Sequence, residues 1–299
     1  MPSKFLHIIS SYILYTFVLS VFLFCQTAFG QTNDSIPRTK IYHVNRITGS
    51  IIIAGGLATD YPAIGRIKGK PDLTTAEIGA LNPGIINPLD RWALHLNSSN
   101  YLFYSKLSDD IEPPLFIVLP AVLGFDKKIR KDWLDLFFMY CEGHVITFTF
   151  YNYSWLGPTY QDRYRPVAYY TDLSLSTRMS GNNRNSAYSG HTASVAYTTF
   201  FMTKVYCDYN PDANKLLLYS AALVPPLAMG YLRVRALAHF PSDDITGLTV
   251  GSVIGIVLPE LHKMKCKNIS LGMMNIPGAT ELNVCWTLPS YKNSELINK

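Results

Sequence analysis

Apolar positions along the chain fall in blocks. After residue 110 the blocks become regular and predict helices near 112–125, 131–155, 189–207, 214–232 and 242–261. Pro113-Pro114 stands at the start of the first, where a missing N–H costs little. Pro225-Pro226 lies inside the fourth and predicts a kink. The fifth opens with Ser242 as N-cap, then Asp243 and Asp244 in the first turn, where the helix dipole favours negative charge. An earlier block, Ile47 to Ile64, is broken by Gly55-Gly56 and Asp60 and is short for a span of about 20 apolar residues. Residues 65–100 are rich in loop signals (Pro71, Pro83, Pro88), with short helices expected at Thr74–Leu81, capped by Thr74 or Thr75, and at Asp90–Leu96. In the tail, Leu282, Val284 and Trp286 alternate with polar residues. That reads as a strand over Glu281–Leu288, paired with Ile269–Met273 across Pro277-Gly278.

The first block has a different character. Lys4, the apolar run Ile8–Phe24 and the small-x-small site Ala28-Phe29-Gly30 read as a secretory leader. The expected organisation is a signal peptide over 1–30, an N-terminal loop with peripheral helices over 31–109, a helical bundle over 110–262 and a tail over 263–299 with a β-hairpin. The fold class is all-α, a membrane-associated bundle of about five to six core helices with a short C-terminal β segment.

Composition supports a membrane setting. Hydrophobic residues make up 48% of the 299-residue chain and charged ones 16%, against roughly 25% charged in an average soluble chain. The net charge of +5 comes from scattered basic residues beside apolar runs, which suits an anionic membrane surface and not nucleic acid. Of the five cysteines, Cys25 lies in the leader, and Cys141, Cys207, Cys266 and Cys285 have no framework spacing, so they read as free thiols. The charges also predict a topology. If all the regular helices span, Lys127, Lys128, Arg130 and Lys131 share a side with Lys204, Lys215, Lys263, Lys265 and Lys267, and that side is cytoplasmic. Segments 156–188 and 233–241 then share the outer, periplasmic face. With a leader that exports residue 31, parity leaves no room for a full crossing by 47–64, so a peripheral or re-entrant helix is expected there.

The outer face gathers chemistry. Arg233, His239 and Asp243 lie in one connection. A carboxylate near an imidazole can hold one ring nitrogen and leave the other nucleophilic, and a guanidinium fork suits phosphate oxygens. Ser189-Gly190-His191 opens the helix at 189–207, where free N–H groups and the dipole favour an anion. Arg163-Tyr164-Arg165-Pro166 supplies further cations. Each piece alone also reads as ordinary capping or turn structure.

In this order and spacing the pieces resemble the type 2 phosphatidic acid phosphatase superfamily, whose pattern is Lys-x6-Arg-Pro, Pro-Ser-Gly-His and Ser-Arg-x5-His-x3-Asp. The matches are Arg165-Pro166, then Ser189-Gly190-His191, then Arg233, His239 and Asp243. Pro158 stands where the family has Lys, Tyr188 where it has Pro, and Leu232 where it often has Ser. The resemblance implies a metal-independent phosphatase needing no cofactor. His239 would form a phosphohistidine, Asp243 would orient it and His191 would protonate the leaving group. Arg165, Ser189, Gly190 and Arg233 would bind phosphate, with Arg163, Arg178 or Arg184 replacing the absent Lys. Membrane helices and an outward site favour a phosphomonoester or diphosphate of a membrane lipid as substrate, in a bacterial-type inner membrane with the site facing the periplasm. A secreted acid phosphatase is one alternative. Another is a weakened or silent membrane protein that binds phospholipid headgroups.

Overall fold

The computed structural model describes residues 40–263, 269–276 and 279–286. The expected leader and cleavage site, Cys25 and Cys266 lie outside the described residues. The helices are α1 Arg46–Lys68, α2 Thr75–Ala80, α3 Pro88–Arg91, α4 Tyr101–Ile117, α5 Lys127–Arg130, α6 Trp133–Tyr153, α7 Leu175–Met179, α8 Gly190–Tyr209, α9 Lys215–Arg235 and α10 Pro241–Lys263. Two strands, β1 Ile269–Ile276 and β2 Ala279–Trp286, pair antiparallel from Ile269↔Trp286 to Ile276↔Ala279. The hairpin expected in the tail is therefore present, and its connection at 277–278 lies outside the described residues.

α8 is the axis of the bundle. Its side chains are buried from Thr192 to Phe201 and again at Val205, Cys207 and Tyr209. α10 lies against it through Gly247, Gly251 and Gly255, one per turn. A Cβ at Gly247 would stand 2.4 Å from the Ser189 carbonyl oxygen, and one at Gly251 would stand 2.1 Å from that of Ala193. Small residues at this spacing let two helix backbones meet with no side chain between them. That contact sets the start of α10 beside the start of α8.

The block 47–64, where a peripheral or re-entrant helix was expected, lies within α1. α1 is one unbroken helix of 23 residues, capped by Asn45. At about 1.5 Å per residue it matches a hydrocarbon core of about 30 Å. Neither Gly56 nor Asp60 interrupts it. At Gly56 α6 packs closely, since a Cβ there would lie 2.1 Å from Val145 Cγ1. The Asp60 carboxylate is buried and accepts from Asn152 Nδ2 (2.9 Å) and Thr149 Oγ1 (3.1 Å). α1 runs parallel to α6. Arg46 pairs with Asp135 at their starts (2.8 Å), and Tyr153 donates to the Thr59 carbonyl oxygen near their ends (2.5 Å). α1 starts at the bundle end where α8 and α10 finish, with Tyr42 on Asp208 (2.7 Å) and the His43 N–H on the His262 carbonyl (2.7 Å).

α4 also begins earlier than the apolar pattern predicts. Pro113 and Pro114 sit inside it, and a 3-10 segment follows over Leu119–Phe125. Its first two turns are amphipathic, with Leu102 and Phe103 outside and Ser108 buried. Apolar run length alone therefore missed them.

α1, α9 and α10 are each long and apolar enough to cross a membrane. They carry Ile47, Ile51, Leu216, Val224, Val253 and Val257 on their outer surfaces. The polar residues of α6 face inward. Glu142 pairs with His262 (3.2 Å), and His144 bonds the Tyr140 hydroxyl (2.7 Å). The basic clusters gather at one end, where Lys204 (2.7 Å) and Lys263 (2.9 Å) both hold Asp208 and Lys128 reaches Asn210 (3.2 Å).

Candidate active site

The connection from α9 to α10 is short and tightly held. Leu237 adopts φ of 53°, the left-handed region that a branched side chain enters at a cost. Its side chain is fully buried beside Val167 and Tyr170, and its carbonyl accepts from the Val167 N–H (3.1 Å). This fixes the backbone that presents His239.

The His239 side chain is buried, and Nδ1 lies 2.7 Å from the carbonyl oxygen of Ser186. A carbonyl only accepts, so Nδ1 carries the proton and Nε2 keeps its lone pair. Burial, then the Arg233 and Arg165 cations, push the imidazole well below its usual value, so it is neutral at neutral pH.

The expected Asp243–His239 contact is not what the structure shows. Among the described residues, no hydrogen bond joins the Asp243 carboxylate to the imidazole. Asp243 instead accepts from the Ser186 hydroxyl (2.6 Å), the Phe240 N–H (2.9 Å) and Arg163. Ser186 therefore links the two, with its hydroxyl on Asp243 and its carbonyl on His239. Ser242 is not the N-cap either, because α10 begins at Pro241. The fully buried Asp90 accepts from the Ser242 N–H (2.8 Å) and hydroxyl (2.6 Å), so a carboxylate distant in sequence does the capping.

Arg165 and Arg233 come together at the site. Arg233 is buried, donates to Ser108 Oγ (2.9 Å) and Asp109 Oδ1 (3.1 Å), and has a buried Nε with no partner. Arg165 donates from Nε to the Asn185 carbonyl oxygen (3.4 Å). Burial, followed by the like charge of Arg233, lowers its guanidinium to about 10. Two cations pressed together beside a neutral imidazole form a site for an anion. Gly190 opens α8 there, and a Cβ on it would meet the Tyr151 ring at 3.4 Å. Ser189 is N-cap of α8. Its hydroxyl bonds the Thr192 hydroxyl (3.0 Å), which in turn donates to Asp244 (2.6 Å). His191 Nε2 lies 3.0 Å from Asp109 Oδ1 and 3.2 Å from Glu112 Oε2.

The three candidate replacements for the absent Lys are committed elsewhere. Arg163 clamps Asp90 (2.6 Å) and Asp243, with its guanidinium over the Phe240 ring. Arg178 donates to the Ala168 carbonyl (3.0 Å). Arg184 holds Glu77 (2.7 Å) and the Pro71 carbonyl (3.0 Å). None of them bonds Ser189 or His239.

Ser186, Asp90, Asp109, Glu112 and Tyr151 were not singled out from sequence. Asp109 and Glu112 carried a readable signal, being acidic residues one turn apart beside an apolar run. Ser186 and Asp90 carried none, because their partners are far away in the chain.

Comparison with the curated proteins and with the solved structures returns no match. Residues 133–266, which hold α6 to α10 and every motif position from Arg165 to Asp243, match the model of the PAP2 superfamily. The segment that carries these motif positions is thus similar to the PAP2 superfamily, a likeness that implies phosphatase activity on phosphate esters.

Proposed function

We propose that the protein is a membrane phosphatase that removes phosphate from a lipid through a phosphohistidine on His239. The observation that carries this reading is the state of His239, whose Nδ1 proton is held by the Ser186 carbonyl (2.7 Å) beside two buried cations. Its Nε2 lone pair attacks phosphorus, the N–P bond forms and the P–O ester bond breaks. The departing oxygen takes a proton from His191 and leaves as an alcohol. His191 then accepts a proton from water, the water oxygen attacks phosphorus, and the N–P bond breaks to restore His239. Arg165, Arg233 and the first N–H groups of α8 hold the equatorial oxygens as charge develops. Asp243 acts on the imidazole through Ser186. Ser189, as N-cap, sets the start of α8, and Gly190 admits the phosphate close to the backbone. No step calls for a metal.

The exposed apolar surfaces of α1, α9 and α10 support lipid as the substrate class. The gathering of Lys128, Lys204 and Lys263 at the end away from His239 supports a site facing outward. Phosphate release from detergent-solubilised lipid phosphates tests the reading. The parent should release phosphate, and His239→Ala should lose at least about 1000-fold in rate. Equal release by both would remove the nucleophile assignment.

One observation favours the alternative of a silent headgroup binder. Arg163, Arg178 and Arg184 all point to other partners, so the position of the family Lys is left uncompensated by them. Binding of phospholipid without turnover in the same assay is the outcome that alternative expects.

A further inference from the structure

We infer that Asp109 and Glu112 make this site selective for a phosphomonoester of an uncharged alcohol over a diphosphate. The inference rests on the phosphatase reading above and deepens it. Both carboxylates belong to α4, which precedes the segment matched by the family model. They are three residues apart on one face and meet the same atom, His191 Nε2, at 3.0 Å and 3.2 Å. His191 is the group placed at the leaving oxygen, so the negative charges stand on the leaving side.

The charge count around the reacting phosphorus is small. Arg165 and Arg233 are the cations acting on His239 from beside it. Arg233 already shares Asp109 (3.1 Å), and Arg163 is held by Asp90 and Asp243. Pro158 occupies the place of the family Lys. Two arginine cations therefore face one transferring phosphoryl group, and once His191 has given up its proton two carboxylates that it no longer compensates face what departs.

For a monoester this arrangement is favourable. The N–P bond forms, the P–O bond breaks, and the electron pair on the departing oxygen takes the His191 proton. A neutral alcohol leaves past Asp109 and Glu112. For a diphosphate the departing group is itself a phosphate anion. It must pass within a few ångströms of two carboxylates, with both cations occupied by the phosphoryl group left on His239. Like charges at that separation discriminate against a substrate as effectively as attractive contacts select one.

The test compares farnesyl phosphate with farnesyl diphosphate in detergent micelles, and phosphatidic acid with diacylglycerol pyrophosphate. Within each pair the lipid is the same, so recognition of the chain cancels. We expect kcat/KM for the monoester to exceed that for the diphosphate by at least about tenfold. Glu112→Gln, which removes a charge without touching Arg233, should shrink the ratio several-fold, and Glu112→Gln with Asp109→Asn should shrink it further. A diphosphate cleaved as fast as its monoester by the parent overturns the inference while leaving the phosphatase reading intact. So does an unchanged ratio in a Glu112→Gln protein with parental circular dichroism. Phosphate release from neither pair above the His239→Ala level overturns the phosphatase reading itself and the inference with it.

Discussion

Ser186 is the residue on which the site turns, and it lies in no motif. One polar side chain and one carbonyl connect Asp243 to His239 at 2.6 Å and 2.7 Å. In our reading Ser186→Ala keeps the carbonyl and loses the hydroxyl, leaving one oxygen of a buried carboxylate short of a donor. A buried polar group so deprived costs about 1–3 kcal/mol. We expect kcat to fall roughly tenfold with KM nearly unchanged, read from steady-state phosphate release. The low proton affinity of His239 has its own consequence. The folded protein keeps the ring neutral below the ordinary histidine value, so the acid limb of kcat/KM should lie well below pH 6.5. Arg165→Met removes one of the cations that repel the ring proton and should move that limb upward. The same depression bears on stability. The contribution of the neutral ring is fully present above pH 6.5 and is lost as pH falls towards the folded value, because the unfolded chain takes up the proton first.

Among the elements, α8 and α10 decide the geometry. Ser189 donates its N–H to the Asp243 carbonyl (3.1 Å), which ties the first turns of the two helices together. The glycines of α10 permit that approach. Gly251→Leu would drive a side chain into the Ala193 carbonyl. Thermal unfolding in detergent should show a loss of about 3 kcal/mol or more, and activity should fall with it. Gly55→Ala in α1 is the contrast, since nothing lies within 4 Å of the added Cβ. There the substitution should be neutral or stabilising by up to about 1 kcal/mol. The glycine row of α10 was open to view in the sequence at Gly247, Gly251 and Gly255. Its meaning was not, because close approach depends on which face of α8 it meets. The helices from 131 onward and the tail strands were legible because their apolar periodicity is local. α1 and the start of α4 were not. In α1 a buried Asp60 satisfied by α6 looked like a break, and in α4 polar residues that face the site looked like loop.

For the whole molecule, α1, α4, α6, α8, α9 and α10 run alternately between the site end and the basic end. We propose that this bundle crosses the membrane with the site outward. Single cysteines at Gln161 and Arg178 should then react with an impermeant maleimide from outside in intact cells. Cysteines at Lys131 and Asn210 should react only after the membrane is opened. The reverse labelling would place the chemistry in the cytoplasm. Placement of the motif residues into one site was legible at the level of order and spacing, since Arg165, Arg233 and His239 do meet. No motif marks the carboxylates around them: Asp109 and Glu112 carried only the weak signal of two acidic residues one turn apart, and Asp90, whose partners are distant in sequence, carried none.

Acid-quenched trapping on a lipid labelled with radioactive phosphate reaches the central claim most directly. In our account the parent protein carries acid-labile, alkali-stable label during turnover, as a phosphohistidine does, and His239→Ala carries none. Label that persists in His239→Ala, or turnover by the parent with no label trapped at any quench time, would contradict a covalent step on His239.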